Sequence, residues 1–377
     1  MKRLIESSAL ACCVVALFGC EDPQSQQQSM GSLLSENKAE ADSQKFSPVI
    51  KGAEITFPAD HQAHPNFRHE WWYFTANLTN ENGEPLGMQW TQFRFAAAPE
   101  TRENIDSKNK KAKKTPWQSQ QIYMAHSAMT TKNKHYADEK WSRGQAKLAG
   151  VSASPFRVYL DDWQWASSTD DLFPATLNAH SKQFGYSLTL TSSAPYQKQG
   201  EQGYSVKSAD GQVASYYYSQ PFIDVSGQIT MDGKTQKVTG KGWIDREWSS
   251  QFLLDSQQGW DWFALRLDDE TSLVLFQLRD SKTGEASYSS ARLMRQDGAG
   301  TAISLSDIRL SAIKQTQIKG RDYPTKWQIS IPTQQIELTI SALNPKAKMP
   351  LSVPYWEGPV TIEGSHSGTG YMELTGY

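Results

Sequence analysis

The sequence has little cysteine, and what it has lies near the N-terminus. Its three cysteines, Cys12, Cys13 and Cys20, all fall within the first 20 of 377 residues. A disulfide framework and a cysteine-based zinc site are therefore excluded from the rest of the chain. His61 and His64 have HxxH spacing, but they lie in a proline-containing loop without a helix to fix their geometry. We predict no metal site and no cofactor.

The chain also lacks a strong excess of charge and the motifs of several enzyme classes. Lysine and arginine number 38 against 40 aspartates and glutamates, so the net charge is −2. Such a balance offers no general attraction to nucleic acid, which we exclude as a partner. A glycine-rich phosphate loop is absent, and Ser249-Ser250 lacks the glycines of a serine-hydrolase elbow.

The hydrophobic run at the N-terminus is typical of an export signal. Lys2 and Arg3 precede an apolar run at 9–18, which is shorter than the roughly 20 residues of a membrane-spanning helix. The sequence LFGC at 17–20 resembles the lipobox of bacterial lipoproteins. We predict a signal peptide at 1–19 and lipidation of Cys20 in the cell envelope, facing the periplasm. The outer membrane is favoured because residue 21 is not Asp; the alternative is an ordinary secretory peptide.

Two segments have the composition of irregular chain. Residues 20–47 are polar, rich in Gln and Ser and poor in aromatics, so they are predicted to be a flexible tether. Five lysines lie between Lys108 and Lys114. We interpret this stretch as a solvated hairpin insertion, and a patch for lipid or nucleic acid is the weaker alternative.

The rest of the chain is predicted to be all-β. Short apolar stretches follow one another without a helical period, and turn signals such as Asn82-Gly83 and Asp232-Gly233 separate them. Their number is too large for one small barrel, so we predict two tandem antiparallel barrel-like domains, packed together, at 48–249 and 250–377. The predicted strands are 71–78, 87–96, 122–130, 156–166, 186–192, 213–220, 223–230, 237–244, 260–267, 272–279, 288–295, 327–331, 336–342, 360–364 and 371–376.

Several predicted strands carry large aromatic residues on both faces, for example at 71–74, 163–165, 216–218 and 260–263. A barrel strand normally leaves one face in water, so a second apolar face must be covered. The cover is either the other domain or an apolar ligand such as a lipid. For the ligand, the predicted lining residues are Trp71, Trp72, Tyr73, Phe74, Trp90, Tyr216, Tyr218, Trp243 and Trp248.

Charged residues lie among these aromatics, and two explanations are open. Glu70, Arg94 and Asp245 would be costly to bury without partners. One explanation is a buried ion pair, either Glu70–Arg94 or Glu247 with an arginine, that holds the domains together. The other is an acid that an apolar pocket keeps protonated. In a ligand pocket these three side chains would be the polar groups.

Three motifs resemble one known family. HEWWYFT at 69–75, GWIDREWSS at 242–250 and GYMELTGY at 370–377 are similar, in this order, to motifs of the lipocalin-like AttH/carotenoid 1,2-hydratase superfamily. The resemblance covers about residues 50 to 377. It implies two lipocalin-like β-barrel domains packed on each other. It also implies a lipoprotein or secreted protein associated with ABC-transporter components.

The resemblance implies a candidate chemistry as well. The hydratase branch adds water across a terminal isoprenoid double bond, with an aspartate as the proposed acid. Asp245 matches that aspartate, while Trp243 stands in place of a tyrosine. Tyr216 and Tyr218 stand in place of a histidine and a tryptophan. Asp245 would be the general acid, and the aromatic residues would shield the cation.

Three functions are therefore open. The first hypothesis is a membrane-anchored protein that binds an apolar ligand, lipid or isoprenoid-like, as an accessory to an ABC transporter. The second is a hydratase or cyclase that uses Asp245. The third is a purely structural or adhesive role.

The lipidation site gives the first testable prediction. Replacing Cys20 by serine removes the thiol that takes the lipid, so the Cys20→Ser protein should lose its membrane association. Fractionation of cell envelopes into soluble and membrane pools measures this. A variant that still sediments with membranes would show that the anchor is not at Cys20.

Overall fold

The computed structural model of the protein describes residues 46–99, 119–145, 147–268 and 270–377. Two antiparallel sheets form it, so the predicted all-β class is confirmed. Short 3₁₀ turns occur at Ala59–His61, Leu305–Asp307 and Pro332–Gln334. The predicted signal peptide, Cys20, nearly all of the tether and the lysine-rich stretch lie outside the described residues.

The first sheet is 13-stranded and forms a nearly closed barrel. Its strands are β1 (His69–Asn80), β2 (Pro85–Ala96), β3 (Gln121–Thr131), β4 (His135–Arg143), β5 (Ala149–Ala153), β6 (Phe156–Leu160), β7 (Trp163–Ser167), β8 (Ala175–His180), β9 (Phe184–Thr191), β10 (Gln197–Lys198), β11 (Tyr204–Val206), β12 (Ala214–Met231) and β13 (Lys234–Ser249). The strand order is β4-β3-β2-β1-β13-β12-β9-β8-β7-β6-β5, and both β10 and β11 pair with β12. The long strands β1, β12 and β13 therefore lie side by side.

The second sheet is 10-stranded and forms a half-barrel. Its strands are β14 (Gln257–Arg266), β15 (Thr271–Asp280), β16 (Ala286–Arg295), β17 (Gly300–Ile303), β18 (Arg309–Ile318), β19 (Arg321–Ile331), β20 (Ile336–Ala342), β21 (Lys348–Met349), β22 (Tyr355–Gly364) and β23 (Gly368–Leu374). The order is β17-β16-β15-β14-β23-β22-β20-β19-β18, with β21 paired to β22.

One pair of predicted strands, 213–220 and 223–230, is a single strand in the structure. Strand β12 runs through both, and its pairing with β13 shifts register between Gln220 and Ile223. Pro221 lies in this irregularity. Proline has no N–H to donate to a ladder, so a bulge is where a continuous strand tolerates it.

The apolar side chains form three cores. One fills the first barrel and contains Trp72, Phe74 and Trp90, and another fills the concave side of the second sheet. The third lies between the sheets and takes residues such as Tyr73 and Trp262 from both. Strands with aromatic residues on both faces are therefore buried on both sides. One face packs inside a barrel, and the other packs in the interdomain seam.

Among the described residues, the helices are all too short and too polar to cross a bilayer.

The tightness of the seam can be tested at Gly87 on β2. A Cβ atom there would lie 2.6 Å from Cγ of Pro359 and 2.7 Å from the hydroxyl oxygen of Tyr371, both on the second sheet. Gly87→Ala should lower the free energy of unfolding by about 1–3 kcal/mol, because a packed core resists added volume. Urea denaturation followed by tryptophan fluorescence measures this.

Gly150→Ala on β5 is the matched control. Its Cβ would meet the hydroxyl end of Tyr159 at 3.1 Å, and that side chain can move. Equal stability losses in the two variants would show that the seam is no tighter than the surface of the barrel.

Candidate active site

The seam between the sheets contains a cavity of about 60 Å³. This is room for a few water molecules. The first sheet and its loops supply Trp71, Tyr73, Thr91, Phe93, Lys207, Tyr217, Asp245 and Glu247; the second sheet and the connection to it supply Phe252, Trp260, Trp262, Phe276, Leu278 and Glu373. The pocket is therefore mostly aromatic, with a few polar groups, as in many small-molecule sites.

Asp245 lies on β13, opposite Tyr73 of β1 and Ser219 of β12. Its Oδ1 accepts hydrogen bonds from Ser219 Oγ at 2.5 Å and Trp243 Nε1 at 2.7 Å. Its Oδ2 accepts one from the Tyr217 hydroxyl at 2.7 Å. The side chain is buried, with 3% of its surface exposed, yet it lines the cavity.

These surroundings affect the pKa of Asp245 in opposite directions. Burial away from water raises the pKa to about 7, and the charge of Glu247 contributes to the increase. The hydrogen bonds from Ser219, Tyr217 and Trp243 lower it, because they stabilise the carboxylate. The result is a carboxyl group that is present in both protonation states near neutral pH.

Lys207 brings a positive charge to the pocket, but that charge is already paired. Its Nζ lies 2.7 Å from Oε1 of Glu247. The same ammonium lies over the rings of Tyr217, Phe252 and Phe276, at 4.9, 5.3 and 4.3 Å from their centroids. Such cation–π contacts and the ion pair together hold a lysine in an apolar site.

A second carboxyl group, Glu373 of β23, also lines the cavity. Trp260 Nε1 donates a hydrogen bond to its Oε1 at 2.7 Å. Burial and, to a smaller extent, the charge of Asp245 raise the pKa of Glu373 to about 8, although the hydrogen bond from Trp260 opposes the increase. Directly opposite Glu373 on β22 lies Glu357, which accepts a hydrogen bond from the Tyr73 hydroxyl at 2.6 Å.

The structure brings four of the predicted site residues together. Trp71, Tyr73 and Asp245 line the cavity, and Trp243 donates to Asp245 from the same face of β13.

Tyr216 and Tyr218 lie on the opposite face of β12, inside the first barrel. The Tyr218 hydroxyl is 2.6 Å from Nδ1 of His61, and the Tyr216 hydroxyl donates to the carbonyl of Ile50 at 3.2 Å. Successive side chains of a strand point to opposite faces, so Tyr217 faces the seam and lies next to Asp245 instead.

Trp72, Trp90 and Trp248, also predicted as ligand contacts, lie away from this cavity. All three rings are buried in the core of the first barrel. They pack against protein side chains and face away from the interdomain cavity. Trp248, for example, stacks on His64 with ring centroids 4.0 Å apart.

Glu70 and Arg94 form a structural ion network outside the cavity. Glu70 bonds Nε of Arg94 and lies 3.1 Å from a guanidinium nitrogen of Arg246. The backbone N–H of His64 donates to Glu70 at 2.9 Å. The neighbouring Arg94 and Arg246 cations hold the pKa of Glu70 well below its usual range. This network fastens the loop before β1 to β1, β2 and β13; it does not join the two sheets.

The sequence interpretation missed Tyr217, Lys207 and Glu373. Tyr217 stands between two named tyrosines, and the alternation of a strand could have separated them. Glu373 lies within the motif GYMELTGY. For Lys207, which follows β11 in a loop, the local sequence has no distinguishing pattern.

The chain is similar to one protein family and to two solved structures. Residues 48–377 match the family model described as AttH-like. A crystal structure of a candidate AttH from Nitrosomonas europaea has 33% sequence identity and a TM-score of 0.77, covering 88% of this chain and 99% of its own. Kievitone hydratase from Nectria haematococca has 12% identity and a TM-score of 0.61, covering 88% and 95%. The second likeness is one of fold alone. Among curated proteins, none matches the chain.

The ion network predicts a large effect on stability. Glu70→Gln leaves two buried arginines without their counter-charge, so the free energy of unfolding should fall by about 3–5 kcal/mol. Chemical denaturation near neutral pH measures the change. The matched control is Glu201→Gln, which breaks an exposed ion pair with Lys51 and should have little effect. A small loss for Glu70→Gln would contradict the proposed structural role.

Proposed function

This chain belongs to the AttH-like family, and we propose that its interdomain pocket adds water to a double bond of an apolar, isoprenoid-like molecule, of which the cavity of about 60 Å³ would take only the reacting end. Asp245 is the group that exchanges a proton in the reaction. The observation that supports this proposal is the position of Asp245: a buried carboxyl at the wall of an aromatic cavity, with a pKa near neutrality.

The chemistry needs the features that the pocket combines. Adding water to an unactivated alkene requires proton transfer to carbon, and a carbocation follows. A positioned carboxyl that titrates near the working pH is suited to move that proton. Aromatic faces stabilise the cation, and exclusion of bulk water limits side reactions.

Among the described residues, Lys207 is the one cation on the wall of this cavity, and it does not oppose the chemistry. Lys207 is bonded to Glu247, so their charges compensate each other. Tyr73 and Trp262 meet edge to face with centroids 5.0 Å apart. The carbocation of the reaction would therefore lie beside aromatic rings and carboxyl groups, and both stabilise a positive charge.

Ligand binding without turnover is the second candidate, because the lining favours apolar molecules whether or not chemistry follows. It is the function that the sequence first suggested, and the experiment below distinguishes it from catalysis. Anchoring of the chain through Cys20 and an ABC-transporter partner remain proposals from the sequence; both would place the pocket at the cell envelope.

Asp245→Asn tests the proposed function. Full-length protein is incubated in deuterium oxide with a panel of isoprenoid alkenes, and mass spectrometry detects addition of deuterated water. The variant should lose about 10²–10⁴-fold in rate, the usual contribution of a positioned acid or base. Asp224→Asn, at an exposed position on β12, is the matched control and should keep full activity.

Retention of an unchanged alkene by both the wild type and Asp245→Asn would favour the binding function. Turnover that Asp245→Asn leaves intact would overturn the role of Asp245.

The pH dependence of stability checks the buried state of Asp245 without any substrate. Its pKa rises from 3.8 to about 7 on folding, so between these values the folded state keeps a proton that the unfolded state has released. This contribution is therefore fully present below pH 3.8 and is lost as the pH rises to about 7. Asp245→Asn should remove this part of the slope, measured by denaturation at a series of pH values.

A further inference from the structure

Three carboxyl groups meet at the seam. Asp245 and Glu373 line the cavity, and Glu357 lies directly across the β22–β23 ladder from Glu373. Side chains at such opposed positions are neighbours on one face of the sheet. Glu357 is 1% exposed, whereas Glu373 keeps partial exposure towards the cavity.

The three groups differ in how many hydrogen-bond donors they receive. Asp245 accepts from Ser219, Tyr217 and Trp243 at 2.5–2.7 Å. Within the described ranges, Trp260 is the one side-chain donor to Glu373, at 2.7 Å. Each donor stabilises the ionised form, so the donors favour a carboxylate at Asp245 far more than at Glu373.

Glu357 is poorly suited to be ionised as well. Tyr73 donates to its Oε1 at 2.6 Å, and the Tyr355 hydroxyl also interacts with this carboxyl. Its Oε2 still lacks a well-formed hydrogen bond within the part of the chain that the structure describes. A buried carboxylate with an unsatisfied oxygen is costly. A second charge directly opposite Glu373 would add repulsion.

Cations do not offset these charges. Among the described residues, neither Glu357 nor Glu373 has an ion pair, and Lys207 is taken by Glu247. The ionisable groups nearest the pair are acids and phenols: Asp245 of β13, Tyr73 of β1, Tyr355 of β22 and Tyr371 of β23. Behind Tyr355 lies His126 of β3, 3.0 Å from its hydroxyl, and burial lowers the pKa of this histidine to about 4, so it brings no positive charge near neutral pH. The protein therefore keeps protons on the second-sheet carboxyls.

We infer that Glu373 is the proton donor of the pocket and that Asp245 is the carboxylate that accepts a proton, with Glu357 as a neutral positioning residue. The catalytic part of this inference rests on the proposed function. It reverses the role that the family resemblance suggests for Asp245.

The step balances without another reactant. Glu373 gives its proton to one alkene carbon, so its O–H bond breaks while a C–H bond forms from the π electrons. Water then bonds to the carbocation through oxygen, and Asp245 takes the proton that this water releases. One proton has moved from Glu373 to Asp245, and its return through water in the cavity restores the starting state.

The order of the pKa values agrees with the count of donors. The pKa of Asp245 is about 7 and that of Glu373 about 8, and burial raises the pKa of Glu357 well above its ordinary value. Activity should therefore rise as Asp245 ionises and fall as Glu373 ionises, with apparent values that belong to the coupled pair.

Infrared titration of the full-length protein tests which carboxyl holds the proton. Protonated carboxyls have a carbonyl-stretching band that disappears on ionisation. Glu373→Gln should remove the band that titrates at about pH 8, the higher of two, and Asp245→Asn the lower one at about pH 7. The band of Glu357, identified by its loss in Glu357→Gln, should remain in both variants. Glu363→Gln, at an exposed position on β22, should change neither. Loss of the higher band in Asp245→Asn alone would overturn the inference.

Two further variants keep the test decisive if an isosteric change unfolds the chain. Ser219→Ala removes a donor from Asp245 and should shift its titration to higher pH. Trp260→Phe does the same for Glu373. The inference would be contradicted if Ser219→Ala shifted the titration of Glu373, or if Trp260→Phe shifted that of Asp245. Because the titration needs no substrate, a protein that hydrates nothing but titrates as stated would refute the proposed function and leave the proton assignment standing.

Discussion

The alternation of side chains along β13 is the constraint on which the rest of the molecule depends. This strand is central in the first sheet, and both faces of its second half, at 242–249, are buried. Ile244, Arg246 and Trp248 face the barrel, while Trp243 and Asp245 face the second sheet. Neighbouring residues of one short motif therefore have different roles. Arg246 binds the loop before β1 to the barrel, and Asp245 lines the cavity.

This arrangement separates two kinds of buried charge. On the barrel side, Glu70 meets two guanidinium groups, and its charge is fully compensated. On the seam side, Asp245 receives hydrogen bonds but no cation, so its protonation depends on the balance of burial and donors. Both are acids surrounded by rings; the presence of arginine decides which is structural and which can titrate.

The fold was largely predictable from the sequence, because turn signals and short apolar stretches mark antiparallel strands. The family resemblance carried by residues 69–75, 242–250 and 370–377 is confirmed. Asp245, Trp71 and Tyr73 were predicted at the site and line its cavity. The face of each neighbouring aromatic residue was not predictable, because a strand apolar on both sides has no polar face to set its orientation. Tyr216 and Tyr218 were therefore placed on the wrong side.

The ion network was harder to infer from the sequence. Arg246 on β13 contacts Glu70 on the neighbouring strand β1, but the two residues lie 176 positions apart in the sequence. Lys207 presents the same difficulty. Its partner Glu247 and its three rings come from four separate segments, and a loop lysine without local pattern gives no sign of them.

The origin of the cavity walls in two different sheets has an evolutionary consequence. Asp245 with its donors Ser219, Tyr217 and Trp243 belongs to the first sheet, whereas Phe276, Leu278 and Trp262 come from the second. Exchange of Phe276 or Leu278 on β15 would change the molecules that relatives accept, while Asp245, Glu373 and their hydrogen-bond donors stay unchanged. The residues that select the bound molecule can then change during evolution at a different rate from the residues that carry out the reaction.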